Sequence, residues 1–384
     1  MTMMSSKKAV VVGAGPAGLG AALALARQGV KVTVLEKEAE IGIHRRGETI
    51  RFHQGMEDLL YKGFFDEQAI HRINQRTYYS HTGNKKADRK ISTWNLIIEY
   101  PRFVQTLARV AREAGVEILT STPIERYNKT GNKINSVTAN AGGTRQDFTA
   151  DLFFAAAGHN DPSVEKDKRV AARLDIPIRK YLVRNYADRD THLEYFFHVD
   201  ETYPAIAAIF PRGNREAEVL YMFLTDAAKK PEKPTDFKKV AAIIDGFEAT
   251  HPVFAQKLRG SERYYETNTL IPMGDIGQNI LPYENLIVVG DSAGHVEGRG
   301  GSGIRSSFVM GHLAAESALK TLLAEDFSAD AQSKFKKRVL ESEQMHELKD
   351  LNLKFGLPRR AFFGTVTIPG AMDLFWFALE FFMR

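Results

Sequence analysis

The chain has 384 residues, of which 43% are hydrophobic and 26% charged, values that predict a soluble globular protein of one or two joined domains. Its formal net charge of +5 is small, and we expect the charged residues to be dispersed over the surface, which excludes a nucleic-acid partner. The mildly basic balance weakly favours an acidic lipid surface or a phosphorylated substrate. The chain contains no cysteine, which excludes disulfides and cysteine-ligated iron–sulfur clusters, so any redox chemistry requires a bound organic cofactor; no metal site is predicted.

The N-terminus is short and polar before the first apolar residues, which is not the pattern of a signal peptide. No stretch reaches the roughly 18 uninterrupted apolar residues that a transmembrane helix requires. We therefore expect a cytoplasmic protein.

A glycine-rich turn follows the first predicted strand, which begins near residue 8. Gly13 permits the tight turn, Gly15 lets the backbone approach a pyrophosphate, and Gly18 lets the next helix pack closely on the strand. The helix predicted from Ala17 to Gln28 directs its N-terminal N–H groups at the phosphates. The pattern predicts a dinucleotide site rather than a glycine turn that only packs.

Glu36 follows the second predicted strand, Lys31–Leu35, and lies 18 residues after Gly18. This spacing is close to the roughly 20 residues expected for a carboxylate that binds a ribose 2′-hydroxyl. Residues 8–37 thus form a βαβ unit with a terminal acid, which strengthens the prediction of a dinucleotide site.

The next segment, residues 38–101, is predicted to form mixed loops and short helices. An amphipathic helix is expected from Pro101 to Gly115, followed by a parallel strand over residues 116–119, a hairpin over residues 134–150 and a buried strand over residues 151–158.

A second body is predicted over residues 165–270, with four strand signals and a closing helix near residues 236–250. The strand signals lie at Tyr181–Ala187, Leu193–Val199, Ile206–Phe210 and Ala217–Leu224.

The chain then returns to a buried strand that ends in Gly290-Asp291, where a long second glycine loop begins that continues through the glycine-rich run at residues 298–303. Asp291 at the carboxyl end of a parallel sheet can accept hydrogen bonds from a polyol chain. The glycine backbone can approach a flat ring, and the N-terminus of the helix predicted from Gly303 to Leu323 favours negative charge beside that ring. A nicotinamide enzyme does not need this second site, so FAD is the predicted cofactor; the alternative is a silent glycine loop at a domain junction.

These motifs occur in the order found in flavoproteins of the para-hydroxybenzoate hydroxylase superfamily, and within it the chain most resembles the geranylgeranyl reductase family over residues 8–325. Three stretches support the narrower resemblance. They are Ile41–Glu48, Phe210-Pro211-Arg212-Gly213 and Ile271–Gly274.

The chain also departs from these families. Arg46 stands where the reductases usually have a cysteine, and Ile206 and Ala208 replace two aromatic residues, which implies a differently shaped cavity. Ala157 precedes Gly158 where the hydroxylases carry an aspartate, which weakens the monooxygenase interpretation. The chain also lacks a Trp-x-Trp-x-Ile-Pro stretch, which argues against a halogenase.

The resemblance implies an α/β fold: a Rossmann-like FAD-binding domain interleaved with an α+β substrate domain on an antiparallel sheet, plus C-terminal helices. We assign residues 1–75, 100–165 and 270–325 to the FAD-binding domain, 76–99 and 166–269 to the substrate domain, and 326–384 to the helical region.

The motifs and the resemblance together predict a set of cofactor-binding residues. These are Gly13, Gly15, Ala17, Gly18, Glu36, Lys37, Arg45, Arg46, Arg102, Gly158, Asp291, Gly301, Ser302, Gly303 and Ile304. The arginine fork suits a pyrophosphate or an anionic substrate. Surface ion pairs are the alternative for Arg45, Arg46 and Arg102.

Three residues are candidates for catalysis: Arg46, Glu48 and His295. His295 belongs to a polar run with Glu297 and Arg299, and a histidine beside a flavin could deliver or accept a proton. An ordinary loop histidine is the alternative.

The C-terminal segment, residues 359–384, contains seven aromatic residues next to arginines. This composition fits either a helix in a bilayer interface, giving a peripheral membrane contact, or a helix that seals the substrate cavity.

The predicted function is FAD-dependent reduction of a carbon–carbon double bond in an apolar, isoprenoid-like substrate, as the resemblance implies. The alternatives are a flavin monooxygenase and a flavin-bound electron-transfer or binding protein without substrate chemistry. The sequence leaves the electron donor open among nicotinamide, ferredoxin and a deazaflavin.

Overall fold

The computed structural model describes residues 6–45, 48–158, 173–187, 192–198, 205–223, 237–274, 280–296, 302–324 and 327–349. In chain order the strands are β1 (Lys8–Val12), β2 (Lys31–Leu35), β3 (Thr49–Arg51), β4 (Ala69–Tyr79), β5 (Lys86–Ile98), β6 (Glu117–Leu119), β7 (Ile124–Thr130), β8 (Lys133–Ala141), β9 (Thr144–Thr149), β10 (Leu152–Ala155), β11 (Arg173–Arg184), β12 (His192–His198), β13 (Ala205–Gly213), β14 (Glu216–Phe223), β15 (Glu262–Gly274) and β16 (Leu286–Val288). The helices are α1 (Pro16–Arg27), α2 (Gln54–Leu59), α3 (Phe64–Gln68), α4 (Tyr100–Glu113), α5 (Phe237–Thr250), α6 (Pro252–Lys257), α7 (Ile304–Lys320) and α8 (Ala329–Leu340).

A parallel sheet of five strands in the order β16-β10-β1-β2-β6 forms the first layer. Its strands are short apolar runs because both faces are covered. Helices α1, α4 and α7 contribute to the core on one face, and the small antiparallel sheet β7-β8-β9 packs on the other through Val137 and Phe148. The predicted Rossmann-like domain is confirmed.

A separate sheet of eight strands has the order β15-β11-β14-β13-β12-β4-β5-β3. Its neighbouring strands are antiparallel except β4 and β12, which run parallel, so the predicted antiparallel sheet is in fact mixed. The chain leaves this sheet after β5 to build part of the parallel sheet and re-enters it at β11. Because the two sheets are interleaved in this way, β4 and β12 lie side by side although they are far apart in sequence.

The prediction of loops and short helices over residues 38–101 was wrong where the chain forms β3, β4 and β5, whereas α2 and α3 are short helices as predicted. Strand β4 has the sequence AIHRINQRTYY, with polar residues on both of its faces. The alternation of apolar and polar residues that identifies a half-buried strand is therefore absent.

The two faces of the eight-stranded sheet have different environments. One face packs against α5 and α6 through a core that includes Tyr181, Phe196, Tyr221 and Phe254. The opposite face, which carries Ile178 and Met222, packs against Val296 from the second glycine loop. The sheet therefore places an apolar surface next to the parallel domain.

Two of the predicted domain boundaries fall inside single strands. The division at residues 75/76 cuts β4, and the division at residues 269/270 cuts β15. Of the predicted C-terminal region, the structure describes α8 and its surroundings, whereas residues 350–384 lie outside the described residues. No helix in the described ranges is both long and apolar enough to cross a bilayer.

Candidate FAD-binding site

The first glycine loop has the geometry of a phosphate cradle at the carboxyl end of β1. Gly13 has a φ of 104°, and its N–H donates to the carbonyl of Leu35 over 2.8 Å. A Cβ on Gly18 would overlap the carbonyl oxygen of Gly13, so only glycine allows α1 to begin this close to the turn. A Cβ on Gly15, in contrast, would meet no protein atom within 4 Å. That open space lies at the N-terminus of α1, where a pyrophosphate would fit.

Glu36 lies over this loop at the end of β2. Its Oε2 accepts a hydrogen bond from the N–H of Ala14 over 2.8 Å, and its Oε1 accepts one from the N–H of Glu38 over 3.0 Å. Each carboxylate oxygen can accept a further hydrogen bond, so the same group can hold a ribose hydroxyl. Lys37, another predicted cofactor residue, is 59% exposed in its side chain and lies 3.5 Å from the Glu38 carboxylate.

The second glycine loop meets the first at the edge where β1, β10 and β16 end. A Cβ on Gly290 would lie 2.6 Å from the Cβ of Ala17, and a Cβ on Gly303 would lie 3.4 Å from the Asp291 carboxylate. The hydroxyl of Ser292 donates to the carbonyl of Gly158 over 2.7 Å. Segments that are more than 100 residues apart in sequence therefore form one site.

Helix α7 begins at this junction. Gly303 is its N-cap and Ile304 its first residue, so its unpaired N–H groups open next to Asp291. The carbonyl of Ser302 accepts a hydrogen bond from the hydroxyl of Ser306 over 3.3 Å. Gly301, which was predicted to contact the cofactor, lies outside the described residues.

His295 is fully buried and supports the second loop from within. Its Nδ1 accepts a hydrogen bond from the N–H of Gly290 over 3.1 Å. Burial lowers the pKa of the imidazole to about 4. At neutral pH the ring is therefore uncharged with its proton on Nε2, where it finds no hydrogen-bond partner among the described residues. With Nδ1 accepting that hydrogen bond, Nε2 is the ring atom left to contact a cofactor, and a catalytic role for His295 stays a prediction.

Glu48, the second catalytic candidate, is buried in a cluster of charges. Its carboxylate pairs with Arg45 over 2.7 Å and with Arg212. Both arginines also pair with Glu99, which is the N-cap of α4, over 2.9 Å in the case of Arg45. Burial lowers the pKa of the Arg212 guanidinium, and the carboxylates of Glu218 and Glu216 oppose that shift.

We refer to Arg45, Glu48, Glu99 and Arg212 as the charge cluster. It joins the parallel domain to β13 of the eight-stranded sheet, and it engages Glu48 in ion pairs instead of leaving it as a free acid. Neither Glu99 nor Arg212 was predicted as a site residue. Their positions are too far apart in sequence for a local pattern, although Arg212 directly follows the Phe210-Pro211 pair.

Two of the remaining predicted arginines, Arg102 and Arg45, have contacts away from the glycine loops. Arg102 is exposed in the first turn of α4, and its guanidinium donates to the carbonyl of Glu67 near the end of α3. Arg45 belongs to the charge cluster, with its guanidinium 5.8 Å from the centre of the Tyr265 ring. Arg46 lies outside the described residues.

An apolar surface of the eight-stranded sheet begins next to the second glycine loop. We refer to it as the apolar face, and its members are Ile178, Ile206, Leu220, Met222, Ile271 and Val296. Ile206, Ala208 and Phe210 occupy every second position of β13, so all three point to this side of the sheet. Ala208 and Phe210 are buried here, and the prediction that Ile206 and Ala208 shape a cavity stays a prediction.

The geometry therefore fits FAD. An open cradle at Gly15, a carboxylate over the loop at Glu36, and a second glycine loop with Asp291 occur at one sheet edge. The unpartnered Nε2 of His295 provides a buried donor in the second loop.

Comparisons with known proteins agree with this geometry. Two family models described as FAD dependent oxidoreductase match the chain, one over residues 9–161 and the other over residues 90–317. The digeranylgeranylglycerophospholipid reductase of Picrophilus torridus is 24% identical over 351 residues, covering 89% of this chain and 85% of the relative. Reductase 1 of that name from Methanococcoides burtonii is 26% identical over 343 residues, covering 86% of this chain and 78% of the relative.

Among solved structures, a geranylgeranyl bacteriochlorophyll reductase-like protein from Thermoplasma acidophilum superimposes with a TM-score of 0.79 at 19% identity, covering 94% of this chain and 91% of that one. A myxobacterial chondrochloren halogenase superimposes with a TM-score of 0.67 at 16% identity, covering 87% and 79%. These identities show a shared fold only. Because one of the matching family models spans more than half of its length, the chain belongs to the FAD dependent oxidoreductase family, with FAD as its cofactor.

Proposed function

We propose that this enzyme reduces a carbon–carbon double bond of an apolar, isoprenoid-like substrate. The observation that carries the proposal is the apolar face, which runs along the eight-stranded sheet from the second glycine loop. Its member Val296 comes from that loop and contacts Ile178 and Met222. An apolar chain lying on this surface would have one part next to the flavin site.

The apolar face is partly open. Ile206, Leu220 and Ile271 are only half-buried, whereas Ile178 and Met222 are buried. The aromatic rings of Tyr78, Tyr195 and Phe197 continue this side of the sheet, with the Tyr78 and Tyr195 rings stacked at 5.0 Å. Apolar and aromatic side chains over this length suit a long hydrocarbon better than a small polar substrate. The names of the reductase relatives support the same substrate class.

The chain's own residues would bind and position the reactants. The N–H groups of α1 and α7 and the carboxylates of Glu36 and Asp291 would hold the cofactor. FAD supplies the hydride when it is bound in its reduced form. The apolar face would exclude water and orient the double bond, and the charge cluster would hold the two domains around it. A nearby acid would supply the proton that accompanies the hydride, and Arg46 stays a prediction as a catalytic residue.

Turnover under anaerobic conditions tests the proposal. The FAD-loaded enzyme is reduced with dithionite and incubated with a polyprenyl lipid. The mass of the product is then measured by mass spectrometry. We expect a gain of two hydrogens for each double bond reduced. A product that forms only with oxygen and gains an oxygen atom would instead indicate the monooxygenase, and rapid electron exchange with a carrier without any product would indicate an electron-transfer protein.

A pair of variants at one position connects the activity to the apolar face. Ile206→Asp places a charge on the half-buried part of this face and should abolish turnover while the bound FAD is retained. Ile206→Leu keeps the apolar volume and should retain most of the activity. Equal activity in both variants would separate the reaction from this surface.

Membrane contact through the C-terminal segment also stays a proposal. Residues 350–384 lie outside the described residues, and their seven aromatic residues and flanking arginines are its support.

A further inference from the structure

The basic excess of this protein is concentrated in one part of the fold. Strands β4 and β5 with their turn, residues 69–98, contain six basic residues and one acidic residue. The net charge of this segment is +5, which equals the formal net charge of the whole chain, so the other residues balance to zero. The expectation of a dispersed charge does not hold for this segment. The basic residues are Arg72, Arg76, Lys85, Lys86, Arg89 and Lys90.

The excess lies at the distal part of the strand pair. Arg72 is paired with Asp66 over 2.5 Å, whereas four basic side chains, all exposed, occur within residues 85–90. Asp88 is the single acid there, and it accepts a hydrogen bond from the hydroxyl of Thr77 over 2.7 Å and lies 3.6 Å from Lys86. This part of the protein therefore presents positive charge to solvent.

These residues also form an open edge of the sheet. Strand β3 covers β5 only at Asn95–Ile97, so within the described part of the chain the stretch Lys86–Lys90 pairs with β4 alone. Protection of the edge strand against pairing with another sheet would by itself explain these lysines. A second feature of the same strand points to a ligand surface.

That feature is an exposed tryptophan in a bulge. Residues 91–94 of β5 stand opposite the single residue Asn74, because Ile73 pairs with Asn95 and Gln75 with Lys90. Trp94 is 45% exposed, and it lines an open recess of about 450 Å³ together with Asn74, Lys90 and Ile91. Ile70 on β4 is a further exposed apolar side chain, at 37%. Edge protection does not require an exposed indole beside a lysine.

We propose that the strand pair β4–β5 docks on an anionic bilayer surface, with residues 85–90 on the headgroups and Trp94 at the interface. Tryptophan favours the boundary between headgroups and acyl chains, and lysine and arginine are attracted to anionic lipids. An acidic protein would use the same charge, but such a partner predicts no binding to anionic vesicles, so the vesicle assay below decides between the two. The proposal deepens the proposed function, since a lipid substrate would be drawn from the same membrane, but its test requires no turnover.

Vesicle binding measures the contribution of the charges. FAD-loaded full-length protein is sedimented with phosphatidylcholine vesicles that contain or lack phosphatidylglycerol. We expect binding to the anionic vesicles that weakens at high salt, and partitioning on the order of a hundredfold weaker for K86Q/R89Q/K90Q. The matched control is K336Q/K337Q/R338Q, which removes two lysines and one arginine from the exposed face of α8 and should bind like the wild type. Equal losses in both triple variants would overturn the proposal.

Tryptophan fluorescence locates the contact, since the chain has only two tryptophans, Trp94 and Trp376. In W376F, Trp94 is the only reporter, and we expect its emission to shift to the blue when anionic vesicles are added. In W94F the remaining reporter lies in the C-terminal segment. A shift that occurs in W94F and not in W376F would assign the contact to that segment and reject the strand pair.

Two further outcomes separate this proposal from the proposed function. If the charge triple variant loses vesicle binding but reduces a detergent-dispersed lipid normally, both proposals stand. If the wild type binds no anionic vesicles yet reduces the dispersed lipid, the docking surface is rejected and the proposed function is kept. The flavin content and melting temperature of each variant confirm that it is folded.

Discussion

A methyl group on Gly15 would have no protein atom within 4 Å, whereas one on Gly18 would overlap the Gly13 carbonyl oxygen. Gly15 has a φ of −77°, which alanine also adopts. We therefore expect Gly15→Ala to fold with a melting temperature close to that of the wild-type apoprotein but to bind FAD weakly. Gly18→Ala should lose stability as well as FAD. Flavin released on denaturation and thermal melts measure the two effects, and normal FAD content in Gly15→Ala would contradict a pyrophosphate at this position.

Burial of His295 makes the stability of this region depend on pH. Its pKa is lowered to about 4 in the folded protein, below the ordinary value of about 6.5, so the unfolded chain binds a proton first as the pH falls. Stability is then unaffected above about pH 6.5 and declines between pH 6.5 and 4, by as much as about 3 kcal/mol.

His295→Asn retains an acceptor for the Gly290 N–H and removes the titration. We expect urea denaturation to show a smaller loss of stability between pH 7 and pH 4.5 in this variant than in the wild type. Some loss will persist, because burial also lowers the pKa values of His251 and His312. An unchanged pH dependence would show that His295 is accessible to protons in the native state.

At the scale of elements, helices α1 and α7 approach each other at glycines. A Cβ on Gly20 would overlap the carbonyl oxygen of Phe308, and a Cβ on Gly311 would overlap that of Ala17. The contact holds the N-terminus of α1, and with it the phosphate cradle, against the helix that follows the second loop. The close packing is thus part of the cofactor site.

Gly311→Ala should push the two helices apart, lowering stability by about 1–3 kcal/mol as other overpacked cores do, and should also weaken FAD binding. Gly246, on the exposed side of α5, is a control for the same substitution, because its Cβ would meet nothing within 4 Å. Gly246→Ala should raise stability by roughly 0.5–1 kcal/mol. Destabilisation by both substitutions would point to helix propensity or local strain instead of the α1–α7 contact.

The sequence predicted some elements better than others, for physical reasons. Strand β2 and helix α1 were predicted with nearly correct ends, since an apolar run and an alanine-rich helix joined by glycines have strong local patterns. Strands β4 and β5 were missed because β4 carries polar residues on both faces and because the polar stretch Lys86–Lys90 of β5 lies at a sheet edge that only the folded sheet creates. The glycine loops were recognised, whereas the pairing of Arg212 with Glu48 depends on contacts between distant segments.

At the scale of the whole molecule, the charge cluster joins the parallel domain to the eight-stranded sheet. Glu48 is completely buried, and removing one partner of a buried ion pair leaves an uncompensated charge. We expect Glu48→Gln to lower the free energy of unfolding by about 3–5 kcal/mol in urea titrations followed by circular dichroism.

The exposed pair of Arg109 and Glu113 on α4 provides the control. Glu113→Gln removes a carboxylate that lies 2.8 Å from an arginine but is open to solvent, so stability should change little. If Glu48→Gln were as mild as Glu113→Gln, the cluster would not hold the domains together, and Glu48 would again be available as an acid.

The connection between Ser292 and Gly158 also has a consequence for how the protein is made. Strands β1, β2, β6 and β10 emerge from the ribosome before β16, which completes the sheet at its edge. Gly290 follows Gly13 by 277 residues, a delay on the order of half a minute at about 5–20 residues per second. Until then the nascent chain exposes the edge of β10 and can offer FAD only half of its site. Cofactor uptake is therefore a late event that marks the completion of the fold.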